Sequence, residues 1–323
     1  MPEIVVAGAP EFGTGRQARM APVAIVDGFL SDDLARGMRA EIDAHFANPH
    51  RHRPESHQVW NYWFVPGLYT YLRTMPDHIF APDHCAAFNA ALRSWSLENL
   101  GMGSLGAPYL SLYVNGCQQG WHNDSGNGRF AYVYSLTRDE RRTSGGETLV
   151  MREGDGLRNN LVKPSTSQQF YESVAPAFNR LVVFDDRAPH AVSRIEGSMD
   201  PVEGRFVLHG HIREAATSVT GALPDAPVRA AIDAALREFA ADESGRLTLY
   251  HGPLSLRIKI DPDGAVTHCD VIIDRVVHPN PDDTDWEPLR ERICERLEGL
   301  AFPAASGVTE VNLPVMFGAS PKG

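Results

Sequence analysis

Cysteine is scarce in this chain, and its four copies are badly spaced for pairing: Cys85, Cys117, Cys269 and Cys294 form no CxxC motif. That argues against a disulfide-framed secreted scaffold and a cysteine zinc site, and predicts reduced thiols in a cytoplasmic protein. No apolar run reaches the ~20 residues needed to cross a bilayer, and no basic-then-apolar segment opens the chain as a secretion signal would. Positive charge is also short, with 30 Lys and Arg against 41 Asp and Glu and a net charge of −11. A chain of that sign is a poor partner for nucleic-acid phosphates or an anionic membrane surface. What remains is an ordinary globular composition, 43% hydrophobic and 22% charged, over 323 residues, enough for one large or two ordinary domains.

Residues 1–21 are rich in Gly, Ala and Pro and read as a loose lead-in. The pattern then predicts a short strand at 23–26 and a helix capped by Ser31. Leu34, Met38, Ile42 and Phe46 share one face of that helix, and Asp32 and Asp33 favour its first turn. Residues 47–66 pass from basic and polar to aromatic, through His50, His52, His57, Trp60, Tyr62, Trp63 and Phe64. They read either as a wall over a site or as a core segment beside a solvated loop. A second helix is expected at 82–100. Six short strands follow, at 109–115, 129–136, 147–151, 169–174, 180–186 and 204–212, without helices between them, the pattern of an antiparallel sandwich or jelly roll. On the last of them Arg205, Val207, His209 and His211 share one face. A face mixing arginine and two histidines suits the polar mouth of a barrel better than a packed core.

The chemistry converges on Trp121-His122-Asn123-Asp124-Ser125. Strand residues two apart point the same way, so an imidazole and a carboxylate at 122 and 124 can meet on one ion. His190 closes the apolar run Leu181-Val182-Val183-Phe184-Asp185 and is expected to be carried in on that second strand. Two histidines and one carboxylate on one face of a metal, with the other positions open, form the constellation of non-haem Fe(II) oxygenases. Gly145-Gly146-Glu147-Thr148 lies between the two halves, and Gly204-Arg205-Phe206 opens the next strand.

With these motifs in this order, residues 109–214 resemble the double-stranded β-helix core of the Fe(II)/2-oxoglutarate dioxygenases, in the prolyl 4-hydroxylase-like branch. The resemblance implies a mainly β fold with flanking helices, and His122, Asp124 and His190 as ligands to Fe(II). It implies Arg205 as the guanidinium that grips the distal carboxylate of 2-oxoglutarate, for which a two-pronged fork is suited. Tyr113 and His209 are the candidates to help bind that cosubstrate. Ascorbate is a possible addition, and dioxygen with a peptidyl or free amino acid completes the set of partners. Arg205 follows His190 by fifteen positions, a long gap for the family, which leaves Arg194 as the alternative. Trp121, Asn115 and Arg129 border the motif and are candidates for a substrate wall. The charged stretch 137–144 reads as a closing loop or a solvated hairpin tip.

After Glu214 the character changes. Residues 217–227 read as a linker and 228–241 as an Ala-rich helix. A strictly alternating strand at 254–260 follows, then a turn at Asp261-Pro262-Asp263-Gly264, a strand at 265–273, an amphipathic helix at 286–300 and a strand at 308–317. This unit resembles the TonB C-terminal-like fold, through Leu300-Ala301-Phe302-Pro303 and Pro314-Val315-Met316-Phe317. The expected organisation is therefore an oxygenase domain over 1–222 and a small α+β domain over 223–323. The strand at 308–317 is expected at a sheet edge, where a peptide, a protein partner or a second copy adds a strand. Two other functions stay open: a cupin-like metal dioxygenase that uses no 2-oxoglutarate, and a non-catalytic scaffold that senses iron or 2-oxoglutarate.

Overall fold

The computed structural model describes residues 4–5, 23–47, 59–151, 170–214, 216–280 and 284–318. They fall into two compact units, one within 1–8, 21–92 and 105–213, the other within 93–104 and 214–323. His50, His52, His57 and most of the expected lead-in lie outside the described residues.

The first unit begins with β1 (Ile4–Val5), β2 (Val23–Val26) and α1 (Asp32–Phe46). Ser31 starts α1 as expected, its hydroxyl accepting from the Leu34 amide, one of the N–H groups that a helix start leaves without a partner. Ala35, Met38 and Ile42 form the buried stripe. The aromatic stretch that follows is neither loop nor helix flank but a hairpin, β3 (Asn61–Val65) and β4 (Tyr69–Thr74). Its turn has Pro66 ahead of Gly67 at φ 74°, closed by the Leu68 amide donating to the Val65 carbonyl, the arrangement of a type II turn. Next come α2 (Pro82–Leu100), β5 (Ser104–Leu105), β6 (Tyr109–Tyr113), β7 (Gln118–His122), β8 (Phe130–Ser135), β9 (Thr143–Ser144), β10 (Thr148–Met151), β11 (Tyr171–Val174), β12 (Arg180–Asp185), β13 (His190–Val192), β14 (Glu196–Gly197) and β15 (Arg205–Arg213).

The main sheet runs β1-β2-β12-β8-β15-β6-β4-β7-β13-β10-β11, with β3 added on β4. Two four-stranded runs, β12-β8-β15-β6 and β7-β13-β10-β11, are joined through β4, and every pairing in them is antiparallel. This is a nearly closed jelly-roll barrel with few helices. His190 does not close the strand at 180–185, as the sequence suggested. That strand stops at Asp185, the chain turns, and His190 opens a strand of its own, placed directly opposite His122. The long His190–Arg205 segment is used for β14, which pairs with β9, and for a 3-10 turn at Pro201–Glu203. The charged stretch at 137–144 is accordingly tied down, with Arg138 on Asp43 and the Asp139 carboxylate accepting from the Phe178 amide.

The second unit holds β16 (Ser218–Gly221), α3 (Asp225–Asp242), the short α4 (Ser244–Leu247), β17 (Gly252–Ile260), β18 (Val266–Asp274), α5 (Trp286–Glu298) and β19 (Thr309–Phe317). Leu254, Leu256, Ile258 and Ile260 present one face of β17 to Val228, Ile232 and Phe239 of α3 and to Leu289, Ile293 and Leu297 of α5. The segment read as a linker is thus partly a strand and partly the start of α3. The sheet order β16-β19-β17-β18 also corrects the expected edge. Over Thr309–Asn312, β19 is flanked by β16 on one side and β17 on the other.

Candidate metal centre and cosubstrate cavity

Pairing of β13 with β7 sets His190 opposite His122, ring centroids 4.2 Å apart. Asp124 lies two residues beyond His122, its amide donating to the Asp186 carbonyl at 2.9 Å. One ligand atom from each of the three lies within 4.8 Å of the others, the one such group among the described residues. The histidines are oriented alike. His122 Nδ1 meets the Gly120 carbonyl at 2.8 Å and His190 Nδ1 the Ala188 carbonyl at 3.0 Å. A backbone carbonyl at Nδ1 selects the tautomer that leaves Nε2 as an acceptor, the lone pair a metal needs.

The electrostatics suit the same use. Burial and the neighbouring His190 hold the His122 imidazole below its ordinary range, hence neutral. Burial would raise the Asp124 carboxyl, but the histidines around it prevail and keep it below the usual range, hence ionised. Neutral imidazoles and an ionised carboxylate are the states that ligate. Two imidazoles and one carboxylate fit a non-haem Fe(II).

The triad opens on a cavity of about 450 Å³ inside the barrel. Arg205 enters it from β15, fully buried at 1% exposure. Its Nη2 donates to Thr148 Oγ1 at 3.0 Å and its guanidinium lies 4.8 Å from the Tyr113 ring centre, but Nε has no partner. No carboxylate pairs with it among the described residues. A buried guanidinium left so is costly unless an anion completes it, and the distal carboxylate of 2-oxoglutarate fits that role. The double glycine before Thr148 has a steric cause. Gly145 and Gly146 lie at φ 81° and 82°, and a Cβ on them would strike the Arg194 carbonyl and the Ile195 and Arg205 side chains.

Tyr113 lines the same wall and donates to Gln119 Oε1, whose amide in turn meets His122 Nε2. His209 lies opposite Tyr109 and meets the Ser111 hydroxyl at 2.8 Å. Arg194 is placed elsewhere, exposed and paired with Glu196. Trp121 is 42% exposed against Tyr171, and Asn115 accepts from the Gly197 amide. Neither they nor Arg129 line the cavity. The second unit has a larger apolar groove of about 860 Å³ beside α3 and the end of β19, but no cluster of three metal-ligating side chains lies there among the described residues.

Two features were not assigned from the sequence. One is the contribution of Tyr69, Tyr71 and Arg73, on the second strand of the hairpin, to the cavity wall beside Trp63, which the wall reading of residues 47–66 names; the Pro66-Gly67 turn signal was the available clue. The other is a pair behind the triad. Buried Asp186 holds His211 Nδ1 at 3.1 Å, and His211 Nε2 faces Asp124 Oδ2 at 3.9 Å. An aspartate after an apolar run reads as a turn residue, so only the fold reveals this pairing.

Burial, with Arg73 and Arg205 nearby, pushes His209 down to about 3, against about 6.5 for an unfolded histidine. The unfolded chain therefore binds more protons at this site between those pH values, so stability falls as pH drops through that window. A full one-proton difference is worth about 1.4 kcal/mol per pH unit. Denaturant unfolding of the metal-free chain between pH 5 and 6.5 should show a shallower pH slope in His209→Gln than in the unaltered chain. Equal slopes would mean that position 209 is not held neutral.

Residues 109–213 match the model of the 2OG-Fe(II) oxygenase superfamily, a family that implies Fe(II) and 2-oxoglutarate and dioxygenase chemistry. No curated protein matches the sequence. Similar solved structures include a Pseudomonas putida prolyl-4-hydroxylase, 20% identical over 60% of this chain and 93% of that one, with a TM-score of 0.43. A Trichoplax adhaerens prolyl hydroxylase, in complex with a hypoxia inducible factor oxygen degradation domain peptide fragment, is 15% identical over 58% and 81%, with a TM-score of 0.43. An oxidoreductase of the 2OG-Fe(II) oxygenase family from Burkholderia pseudomallei is 17% identical over 61% and 91%, with a TM-score of 0.40. No described helix is long and apolar enough to cross a membrane.

Proposed function

We propose that this chain is an Fe(II)- and 2-oxoglutarate-dependent oxygenase that hydroxylates an unactivated C–H bond of a free or peptidyl amino acid. The observation that carries the reading is the pairing of the 2-His-1-carboxylate group with the buried, anion-seeking Arg205 in one cavity, inside the segment that matches the superfamily. Fe(II) with 2-oxoglutarate supplies activation of dioxygen, one oxygen atom going to the substrate as 2-oxoglutarate is converted to succinate and carbon dioxide. The chain's own residues do the positioning. His122, Asp124 and His190 hold the metal, Arg205 with Thr148 and Tyr113 orients the cosubstrate, and His209 keeps a neutral donor or acceptor beside it. A metal dioxygenase that uses no 2-oxoglutarate needs the triad but leaves Arg205 without a purpose. For the second unit we infer a docking or stabilising role, a reading that rests on the sequence resemblance of residues 223–323 to the TonB C-terminal-like fold.

The test is incubation of the full chain with Fe(II), ascorbate, 2-oxoglutarate and a library of amino acids and short peptides. Stoichiometric succinate and a product heavier by one oxygen, about 16 Da, are expected. Metal binding with no oxidation of any component would favour the sensing scaffold.

A further inference from the structure

Many arginines of the first unit are matched by carboxylates: Arg39 and Arg138 by Asp43, Arg180 by Asp27, Arg187 by Asp185 and Arg194 by Glu196. Arg73 is not, among the described residues, and it faces the cavity. Its guanidinium is clamped between two rings, 3.7 Å from the centre of Trp63 and 3.9 Å from that of Tyr109. Strand register sets Arg73 opposite Ser111 and Arg205 opposite Tyr113. The two cations therefore share one wall, on the strands that flank β6, offset by two residues or about 7 Å along it and by two strand spacings or about 10 Å across it. Between them runs an aromatic stack, with Tyr71 lying over Tyr113 at 5.1 Å and 14° and Trp63 over Tyr71 at 6.3 Å and 19°.

The geometry restricts what Arg73 can do. Two rings within 4 Å of its carbon stabilise the cation and limit the directions of approach. The N–H groups turned from the rings remain as donors, in the fixed fork that matches a carboxylate. Trp63 is 40% exposed, so the clamp sits on the outer side of the cavity, while Arg205 is fully enclosed. One acid can bind deep and another at the mouth.

Resting on the oxygenase reading above, we propose that Arg73 is a substrate-binding residue whose guanidinium takes a carboxylate of the substrate, making this an oxygenase of small amino or organic acids or of a peptide's C-terminal residue. Trp63 and Tyr109 then act as positioning residues that hold the fork. The substrate class follows from the shape of the donor set: a planar, singly charged carboxylate rather than an amide, which has one acceptor oxygen and no charge.

The experiment uses the full chain with Mn(II) as a stand-in metal and saturating 2-oxoglutarate, and reads binding by calorimetry. The probes are the common amino acids as free acids and as primary amides, glycyl dipeptides as acids and amides, and phosphoserine. At least one acid should bind tenfold or more tighter than its amide. Arg73→Met should reduce that preference to under twofold while leaving 2-oxoglutarate affinity within twofold, and Arg73→Lys should restore part of it. Preference confined to free amino acids or to dipeptides identifies the source of the carboxylate. Acids and amides that bind alike, no acid that binds, tighter binding of phosphoserine than of any carboxylate probe, or an undiminished preference in Arg73→Met overturns the proposal. The acid–amide comparison in the unaltered chain stands even if the variants fail to fold. Loss of Mn(II)-dependent 2-oxoglutarate binding in the unaltered chain would instead overturn the oxygenase reading, and the acid–amide comparison repeated without metal or cosubstrate would still decide the role of Arg73.

Discussion

Asp124→Ala should leave a folded chain that neither binds Fe(II) nor turns over 2-oxoglutarate. Asp124 is the only anionic member of the triad, and its carboxylate is surrounded by His122, His190 and His211. Without it two imidazoles remain, a set that holds a divalent ion weakly. Losing only a hydrogen-bond partner of a ligand typically costs about 10- to 100-fold in metal affinity or activity, so losing the ligand should cost about 100-fold or more. His122→Ala and His190→Ala should behave alike. Asp186→Asn, whose side chain reaches Asp124 only through His211, should cost less than that range. Equilibrium dialysis against Fe(II) under anaerobic conditions, with circular dichroism to confirm folding, measures both. Full metal occupancy in Asp124→Ala would mean that the ion binds elsewhere.

The second large effect is expected at Arg205. Arg205→Ala should raise the 2-oxoglutarate KM while leaving metal binding intact. Truncating one partner of a buried, hydrogen-bonded charge pair costs about 2–5 kcal/mol, or roughly thirty- to several-thousand-fold. Arg205→Lys should recover only part of this, because one ammonium cannot reproduce a fork that reaches both Thr148 and a carboxylate. Arg194→Ala, on an exposed side chain paired with Glu196, should change little. A defect in Arg194→Ala equal to that of Arg205→Ala would contradict the assignment.

What could be read before the fold and what could not have separate physical origins. The HxD pair was legible because period two is a property of a single strand. The jelly-roll pattern was legible because short strands without helices have few other solutions. Long-range pairing is another matter. That His190 opens its own strand opposite His122 depends on which strands meet, and no local pattern encodes it. The same limit hid Asp186 behind His211, and hid β16, four residues that are a strand only because β19 lies beside them. Trp63 was legible as a wall residue, but Arg73 was not: its place beside Trp63 depends on the hairpin that turns at Pro66-Gly67 and on the pairing of β4 with β6.

One measurement bears most directly on the central claim that the triad and Arg205 serve one metal and one 2-oxoglutarate in the same cavity. It is an anaerobic calorimetric titration of 2-oxoglutarate into the full chain, with and without Fe(II), repeated on Asp124→Ala and Arg205→Ala. The expected result is one equivalent bound only when Fe(II) is present, no binding to Asp124→Ala, and binding to Arg205→Ala weakened at least thirtyfold with the metal retained. Binding of 2-oxoglutarate that is indifferent to Fe(II), or equal in all three proteins, would contradict the claim.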